Sequence, residues 1–366
     1  MQFVDLKTQY RRHQDEIDAR VRKVFEHGQY VMGPEVEECE AALAAFVGVK
    51  HGITVASGTM SLEIALRALE IGPGDEVITV PFTWISSAEV INLVGATPVF
   101  VDIEPATFNI DITKIEAAMT PRTKAIIPVS LFGQMPDYDR INALCEPRGI
   151  TVIEDAAQSF GATREGRKSC SVTRIASTSF FPAKPLGCYG DGGALFTNDD
   201  ALAQQMRDIR IHGGKRHHHT VVGTNGRFDT LQAAVILAKL PHFPEEVEAR
   251  SRIGHAYTER LRASCVTPEV ASGNTHVYAQ YTIRVPERDV VAARLKDKGI
   301  PTAIYYPKCL HEQPVYASPG YPWGAFPVAE RASREVLSLP MHPFLDPAEI
   351  DDVCQGVREA APPHLP

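Results

Sequence analysis

The chain has 366 residues, of which 44% are hydrophobic and 22% charged, and its formal net charge at pH 7 is −8. This length accommodates one large domain and a smaller one, and the negative charge argues against nucleic acid or an anionic membrane as the main partner. No apolar run is long enough to span a membrane, and the polar start lacks a secretion signal, which predicts a cytoplasmic protein. The seven scattered cysteines lack metal-ligand spacing, so we expect free thiols and no metal site.

From about residue 50 the chain alternates short apolar runs with helical patterns, which indicates a parallel sheet covered by helices on both faces. The predicted strands are HGITVAS (51–57), EVITV (76–80), TPVFVDI (97–103), TKAIIPVS (123–130) and ITVIEDA (150–156). The helices predicted between them are TMSLEIALRALE (59–70), ISSAEVINLVG (85–95), TKIEAAM (113–119) and YDRINALCEPRG (138–149).

Beyond Asp199 the pattern becomes mainly helical, and it changes again towards the C-terminus. Helices are predicted over 201–213, 229–240 and 245–263, followed by a strand over 278–286 and by helices over 289–299 and 347–361. We therefore predict a large α/β domain over residues 1–240 and a small α+β domain over residues 241–366.

Small and polar residues follow the first predicted strand, at the end where open α/β sheets bind ligands. The turn Ser57-Gly58-Thr59 leads into a helix, whose N-terminal N–H groups and dipole suit an anion, typically a phosphate. The simpler alternative is that Ser57 or Thr59 caps the helix.

Two further strands end in residues suited to ligand contacts. Asp155 and Gln158 follow ITVI, and their carboxylate and amide can together hold a charged ligand and an adjacent hydroxyl. Asp155 alone is equally compatible with a helix cap. Trp84 follows VITV, where it either stacks on a planar ring or lies in the core.

Lys184 lies in STSFFPAKPLGCYGDGGALF, with aromatic residues on one side and glycines on the other. A lysine in apolar surroundings has a lowered pKa, so its neutral amine is accessible near neutral pH and forms Schiff bases. Pyridoxal 5'-phosphate (PLP) requires such a lysine, a carboxylate at its pyridinium nitrogen, a phosphate cradle and a stacking ring. Lys184, Asp155, the turn 57–59 and Trp84 supply these four features, which predicts a PLP enzyme.

The glycines of GCYGDGGAL do not indicate a dinucleotide-binding loop. That loop requires GxGxxG after a strand and at the start of a helix, whereas these glycines precede the apolar strand ALFTND. A tight turn behind the lysine explains them better, and a nicotinamide-dependent dehydrogenase is disfavoured.

These residues resemble the DegT family, fold-type-I PLP aminotransferases that act on nucleotide-linked keto-sugars. The resemblance covers nearly the whole chain, and its motifs are GPEVEECEAALAAFVGVKH, SGT, GPGDEVITVPFTWISSAEVI, GATPVFVDI, IEDAAQSFGA, SFFPAKPLGCYGDGGA, TNGRFDTLQAAV and FPVAERASREVLSLPMHP. It implies an α/β fold whose large domain has a mostly parallel mixed sheet flanked by helices, with a small C-terminal α+β domain.

The resemblance also implies roles for the residues around the cofactor. Lys184 is similar to the lysine that forms the internal aldimine and moves the proton, and Asp155 to the partner of the pyridinium nitrogen. Gln158 would contact the ring hydroxyl, and Trp84 would stack on the ring. The phosphate would be held from within the chain by three residues, Gly58, Thr59 and Ser179.

A homodimer with shared active sites is part of the same resemblance. Asn225, in TNGRFD, resembles the asparagine that completes the phosphate site of the neighbouring subunit. Arg227 resembles an arginine that reaches across the dimer toward a sugar carboxylate, which suits bidentate guanidinium pairing. The alternative for Arg227 is a surface salt bridge with Asp229.

Within the family the chain is most similar to enzymes that aminate UDP-2-acetamido-2-deoxy-3-oxo-glucuronate with L-glutamate as donor, releasing 2-oxoglutarate. Pyridoxamine 5'-phosphate then carries the amino group between the two half-reactions. Tyr305 and Tyr306 of TAIYYPKCL are predicted to contact the sugar, although this subgroup typically has a histidine at the position of Tyr305. Met60 and Ser61 stand where the family usually has aspartate and alanine.

Three alternatives to this substrate and function stay open. The substrate could be another uronate or a 3- or 4-oxo (deoxy)hexose of a natural-product pathway. The chain could also be a non-catalytic regulator that senses PLP or a sugar on the same fold. A PLP-dependent sugar dehydratase is disfavoured, because those relatives replace the lysine with histidine and Lys184 is present.

Overall fold

The computed structural model of the chain describes residues 1–215, 217–317 and 320–361. Its α-helices are α1 (Leu6–Arg12), α2 (Gln14–His27), α3 (Pro34–Val47), α4 (Gly58–Ala68), α5 (Ser86–Leu93), α6 (Ile112–Ala118), α7 (Tyr138–Cys145), α8 (Asp200–Arg210), α9 (Thr230–Lys239), α10 (Phe243–Leu261), α11 (Arg288–Asp297), α12 (Pro327–Glu335) and α13 (Pro347–Ala360). Its strands are β1 (His51–Val55), β2 (Glu76–Thr79), β3 (Thr97–Phe100), β4 (Thr123–Ile126), β5 (Thr151–Asp155), β6 (Thr163–Arg164), β7 (Arg167–Lys168), β8 (Ile175–Ser179), β9 (Gly193–Thr197), β10 (Gly214–Lys215), β11 (His218–His219), β12 (Tyr281–Arg284) and β13 (Val336–Leu339).

Seven strands form the central sheet in the order β1, β9, β8, β5, β4, β2, β3. The strands from β3 through β8 along this order are parallel, and β9 lies antiparallel to both β8 and β1. The prediction of a mostly parallel mixed sheet flanked by helices is therefore confirmed. The reversal at β9 has a simple cause, because β8 and β9 are joined by a loop, and only a crossover connection returns a chain to a parallel position.

Helices cover both faces of this sheet. One face packs against α4, α5 and α8, and the other packs against α3 and α9 near β9 and against α7 near β4. Because β1, β2, β5 and β8 point the same way, the loops that follow them meet at one edge. The loop between β8 and β9, which contains Lys184, lies at that edge.

The structure differs from the prediction in two respects: one strand is shorter than predicted, and two polar helices were not predicted. The strand predicted over 123–130 ends at Ile126, two residues before Pro128, which has no N–H to donate to a sheet. The sequence patterns did not indicate α1 and α2, because these helices are polar and bury few side chains, namely Gln9, Ile17 and Val24.

β12 and β13 pair in a separate antiparallel sheet that packs with α10, α11 and α13 around a second core. Helix α10 belongs to both cores, because Phe243 at its start packs against the central sheet and Tyr257 packs against Tyr281 of β12. The division into domains at residue 240 remains a prediction. Within the described ranges, no helix combines the length and the apolar character needed to cross a membrane.

Candidate active site

A cavity of about 410 Å³ lies where β1, β2, β5 and β8 end at the same edge of the sheet. This volume is in the range of small-molecule sites. The predicted residues that line the cavity are Gly58, Thr59, Trp84, Asp155, Gln158, Ser179, Lys184, Tyr305 and Tyr306. The chain therefore brings most of the predicted residues together from four strand ends and from the segment before Cys309.

The N-terminus of α4 forms one end of this cavity. Ser57 caps the helix, because its side chain accepts a hydrogen bond from the N–H of Met60 at 3.1 Å. A Cβ atom on Gly58 would lie 2.8 Å from Cβ of Ser179, and one on Gly193 would lie 2.6 Å from the carbonyl of Ser57. Glycine is thus required for this close approach, and Ser57, Gly58, Thr59 and Ser179 together form a small cradle at this end of the cavity.

Hydroxyl groups surround this cradle. The hydroxyls of Thr59 and Ser86 are hydrogen-bonded to each other at 2.7 Å, and Oγ of Ser179 accepts a bond from the N–H of Phe181 at 3.2 Å. Backbone N–H groups, the positive end of the α4 dipole and nearby hydroxyls suit a phosphate group.

Asp155 lies at the end of β5 and is only 6% exposed. Its Oδ2 accepts a hydrogen bond from the hydroxyl of Ser87 at 2.8 Å, and its Oδ1 accepts one from the N–H of Ala157 at 3.1 Å. Burial raises the pKa of Asp155, while these hydrogen bonds and the charge of Lys184 oppose the rise. Asp155 is therefore held as an oriented acceptor, and two of its partners are fixed before any ligand binds.

Ser87 was not among the predicted site residues. It is 1% exposed, lies on α5 just beyond Trp84, and belongs to a polar pair at positions 86 and 87 that follows the end of β2. The position after a strand end was the signal that could have identified it, because a short hydroxyl side chain at that edge can reach neighbouring strand ends.

Gln158 is oriented from both ends of its amide. Its Oε1 accepts a hydrogen bond from the N–H of Phe132 at 2.7 Å, and its Nε2 donates to the hydroxyl of Tyr306 at 3.2 Å. The amide nitrogen carries two hydrogens, so the second is available to a ligand in the cavity. Tyr306 itself is packed among aromatic rings, and burial raises its pKa.

Lys184 lies in the loop between β8 and β9, and its backbone N–H donates to the carbonyl of Phe181 at 2.8 Å. Burial lowers the pKa of its ammonium, while the Asp155 carboxylate opposes that effect. Trp84 is 60% exposed and tilted against Tyr306, with 6.2 Å between the ring centroids. The alternative of a core position for Trp84 is wrong, since the indole faces the cavity and solvent.

Glu154, next to Asp155, has a different environment. It is fully buried and accepts hydrogen bonds from the hydroxyl of Ser169 at 2.7 Å and from the N–H of Cys170 at 2.9 Å. Burial raises the pKa of Glu154 to about 7. Because adjacent residues of a strand face opposite ways, Glu154 anchors the segment 169–170 behind the sheet rather than lining the cavity.

Asn225 and Arg227 do not line this cavity. Their segment is held by its backbone, because the N–H of Gly226 donates to the carbonyl of Arg210 and the carbonyl of Gly226 accepts from Ala56, both at 3.0 Å. Nε of Arg227 is buried without a hydrogen-bond partner among the described residues. A salt bridge between Arg227 and Asp229 is not formed in the described part of the chain, so that alternative for Arg227 is wrong.

The chain matches the model of the DegT/DnrJ/EryC1/StrS aminotransferase family over residues 11–358. It is 52% identical to a UDP-2-acetamido-2-deoxy-3-oxo-D-glucuronate aminotransferase of Pseudomonas aeruginosa, over 98% of this chain and 99% of that protein.

Two solved structures share the fold throughout. DesV of S. venezuelae, solved in complex with a ketimine intermediate, is 39% identical with a TM-score of 0.96, and the match covers 98% of this chain and 97% of DesV. NtdA of Bacillus subtilis, solved with the bound cofactor PMP, is 30% identical with a TM-score of 0.89, and the match covers 95% of this chain and 82% of NtdA.

The charges of the cavity lead to a prediction about Lys184. We expect Lys184 to lose its proton at a lower pH than an exposed lysine, and Asp155→Asn to lower its pKa further, because burial then acts without an opposing carboxylate. The measurement is the pH dependence of Lys184 modification by an amine-reactive reagent in protein freed of small molecules, located by peptide mass spectrometry. The exposed Lys23 serves as the internal control in the same digests. An unchanged or raised midpoint in Asp155→Asn would contradict the electrostatic coupling.

Proposed function

Because the chain belongs to the DegT/DnrJ/EryC1/StrS aminotransferase family, whose members here include aminotransferases of nucleotide-linked keto-sugars, we propose that it transfers an amino group from L-glutamate to such a sugar with PLP as cofactor. The observation that carries the proposal is the cavity in which Lys184, Asp155 and the cradle at Gly58 meet.

The residues of the cavity fit PLP in composition and arrangement. The cradle lined by Gly58, Thr59 and Ser179 suits the phosphate, and a Cβ atom at Gly58 would clash with Ser179 and disrupt it. The buried, hydrogen-bonded carboxylate of Asp155 suits a protonated ring nitrogen, and the available N–H of Gln158 suits the ring hydroxyl. The exposed indole of Trp84 supplies the flat surface on which a ring stacks.

When bound, PLP supplies an electron sink for the charge that develops beside the amino nitrogen. The protein supplies the proton transfer and the orientation. Nζ of Lys184 would hold the cofactor in the resting site. Once the amino group of glutamate has displaced it, Nζ would act as a neutral amine, removing the proton from the α-carbon of glutamate and returning protons in the opposite half-reaction. Burial lowers the pKa of Lys184, so a larger fraction of this amine is neutral at a given pH than in an exposed lysine. The Asp155 carboxylate would stabilise the positive ring nitrogen of the bound cofactor, which would take up the amino group as glutamate becomes 2-oxoglutarate.

The active form in this proposal is a homodimer in which Asn225 and Arg227 of one subunit complete the site of the other. Three observations support it. Neither residue lines the cavity of its own chain, and Nε of Arg227 has no partner within the described part of the chain. Tyr30 and Val31, each 49% exposed, lie beside the same segment, because Val31 pairs with Asp229 through its backbone. Phe25, which is 57% exposed, packs against Tyr30, so these side chains form an exposed apolar patch of the kind that marks an interface.

UDP-2-acetamido-2-deoxy-3-oxo-glucuronate is the substrate that we propose, since the relative named for it is 52% identical to this chain. The guanidinium of Arg227 would bind the sugar carboxylate, and Tyr305 and Tyr306 would line the sugar site. Another uronate, or a 3- or 4-oxo (deoxy)hexose, is the alternative substrate class. The seven unpaired cysteines suit the reducing cytoplasm, where we propose that the enzyme acts.

Replacement of the lysine tests the chemistry. We expect Lys184→Ala to lose both the visible absorbance of the bound cofactor and the turnover of glutamate, because the described residues that line the cavity include no second lysine to replace Nζ. The measurements are an absorbance spectrum of the purified protein and an assay for 2-oxoglutarate, with Lys23→Ala as the exposed-lysine control. Retention of full activity by Lys184→Ala would refute the mechanism. A cofactor spectrum that does not respond to glutamate in the wild-type protein would instead favour a non-catalytic regulator.

Arg227→Ala tests the substrate class. Loss of a hydrogen bond to a charged group costs about 1.5–3 kcal/mol, so kcat/KM for the uronate should fall roughly tenfold to a hundredfold. The control is a nucleotide sugar with the same keto position and a neutral C6, for which we expect little change. Equal losses on both sugars would show that Arg227 does not bind the carboxylate.

Mixed dimers test the sharing of the site between subunits. A dimer with one Lys184→Ala subunit and one Arg227→Ala subunit contains one site with both native residues only if Arg227 acts in the partner's site. We therefore expect activity on the uronate to return when the two variants are mixed and allowed to exchange subunits. The unmixed variants are the controls, and a mixture no more active than their average would place Arg227 in its own chain's site.

A further inference from the structure

A second lysine is buried near the loop that contains Lys184. Lys239, at the end of α9, is 3% exposed. Its Nζ donates a hydrogen bond to the carbonyl of Gly187 and lies 5.2 Å from the ring centroid of Tyr189. Both contacts belong to the segment that follows Lys184 and returns the chain to β9. Lys239 therefore ties the rigid end of a helix to the loop of the reactive lysine.

The position of Gly187 is set by the tight fold of this loop. The N–H of Lys184 donates to the carbonyl of Phe181, and the N–H of Cys188 donates to the carbonyl of Phe180, both at 2.8 Å. A Cβ atom at Gly187 would lie 2.5 Å from the carbonyl oxygen of Pro182. The loop is therefore closed on itself, and a displacement of the Gly187 carbonyl would be passed on to Lys184.

The charge of Lys239 is not explained by a contribution to the stability of the fold. Its ammonium forms no ion pair with a carboxylate in the described part of the chain, although Glu246 of α10 attracts it and Arg250 of the same helix repels it. The oxygens of Glu246 are bonded instead to Gln9, at 2.8 and 3.2 Å. A buried cation held mainly by a carbonyl is destabilising compared with an apolar side chain of the same size. A cationic donor at this position is therefore better explained by what it does to the loop.

We propose that Lys239 is a positioning residue for Lys184, which fixes the loop between β8 and β9 by binding the Gly187 carbonyl so that the Lys184 amine stays directed into the cavity. This inference rests on the proposed function, because it concerns the geometry of the same lysine. Lys239 acts through the backbone and is not among the residues that line the cavity.

The electrostatics of Lys239 add a second consequence. Burial lowers its pKa to about 8, Glu246 and Cys188 oppose that shift, and Arg250 reinforces it. The hydrogen bond to Gly187 therefore weakens as the pH rises through about 8, because the neutral amine is a poorer donor than the ammonium. The positioning effect should be complete below this pH and should decrease above it.

The test compares Lys239→Met with Lys239→Gln, which keeps an N–H donor without the charge. The matched control is Lys168→Met, because Lys168 likewise donates to a carbonyl, that of Phe46, and lies over the Phe46 ring, and neither of these contacts involves the loop between β8 and β9. One measurement is hydrogen–deuterium exchange of the peptide covering residues 180–188 in cofactor-free protein. The others are kcat and KM for glutamate per cofactor-loaded site, and the pH midpoint of the absorbance of the bound cofactor.

We expect Lys239→Met to speed exchange of the Lys184 and Cys188 amides at least tenfold and to lower kcat per loaded site about tenfold, with KM changed less than twofold. The absorbance midpoint should shift, and Lys239→Gln should recover part of each effect. Lys168→Met should change none of these quantities, even if it lowers the unfolding temperature. Unchanged exchange and unchanged kcat in Lys239→Met would refute the proposal, and if that variant does not fold, Lys239→Gln is judged by the same criteria. A wild-type protein without a cofactor band would instead refute the proposed function.

Discussion

The site depends on a carboxylate and an amine that interact while both are largely shielded from water. Asp155 is acceptable in its buried position because Ser87 and the N–H of Ala157 donate to its two oxygens. Lys184 faces it from the loop between β8 and β9, and for each group burial alone disfavours the charged form. The sheet serves this pair directly, since its parallel strands end at one edge and the antiparallel return of β9 places the lysine loop there.

The backbone around this pair is packed so tightly that several positions have no room for a Cβ atom. Gly58 lies against Ser179, Gly193 lies against Ser57, and Gly187 lies against the carbonyl of Pro182. These three glycines have no positive φ to explain them, so their role is close approach rather than unusual backbone conformation. The cradle at the start of α4 and the loop of Lys184 are thus two parts of one compact backbone arrangement, which is shaped before a ligand enters.

Sequence reasoning could identify the residues that have a chemical signature at a strand end. Lys184 in apolar surroundings, Asp155 after a buried strand and the glycine turn at residue 58 all have one, and the strand–helix alternation indicated the sheet that brings them together. Ser87 and Lys239 have no such signature, because a serine near a helix start and a lysine at a helix end are common and their partners are distant in sequence. The direction of β9 could not be predicted from the hydrophobic periodicity either, because that pattern indicates whether a strand is buried but not which way it runs.

The hydrogen bond between Gly226 and Ala56 affects which residues near the site can be substituted. The carbonyl of Gly226 accepts a hydrogen bond from Ala56, the residue before the cradle turn, and the space at Gly226 is closed by the side chains of Met60 and Ile64. The segment that presents Asn225 and Arg227 is therefore built onto the same helix turn that forms the cradle. Natural drift or a directed-evolution library can therefore change the exposed residue 225 with less effect on the cradle than the buried residue 226. A Cβ atom at residue 226 would lie 3.0 Å from Cγ of Met60 and 3.1 Å from Cδ1 of Ile64, so a larger residue there requires these two side chains of α4 to move.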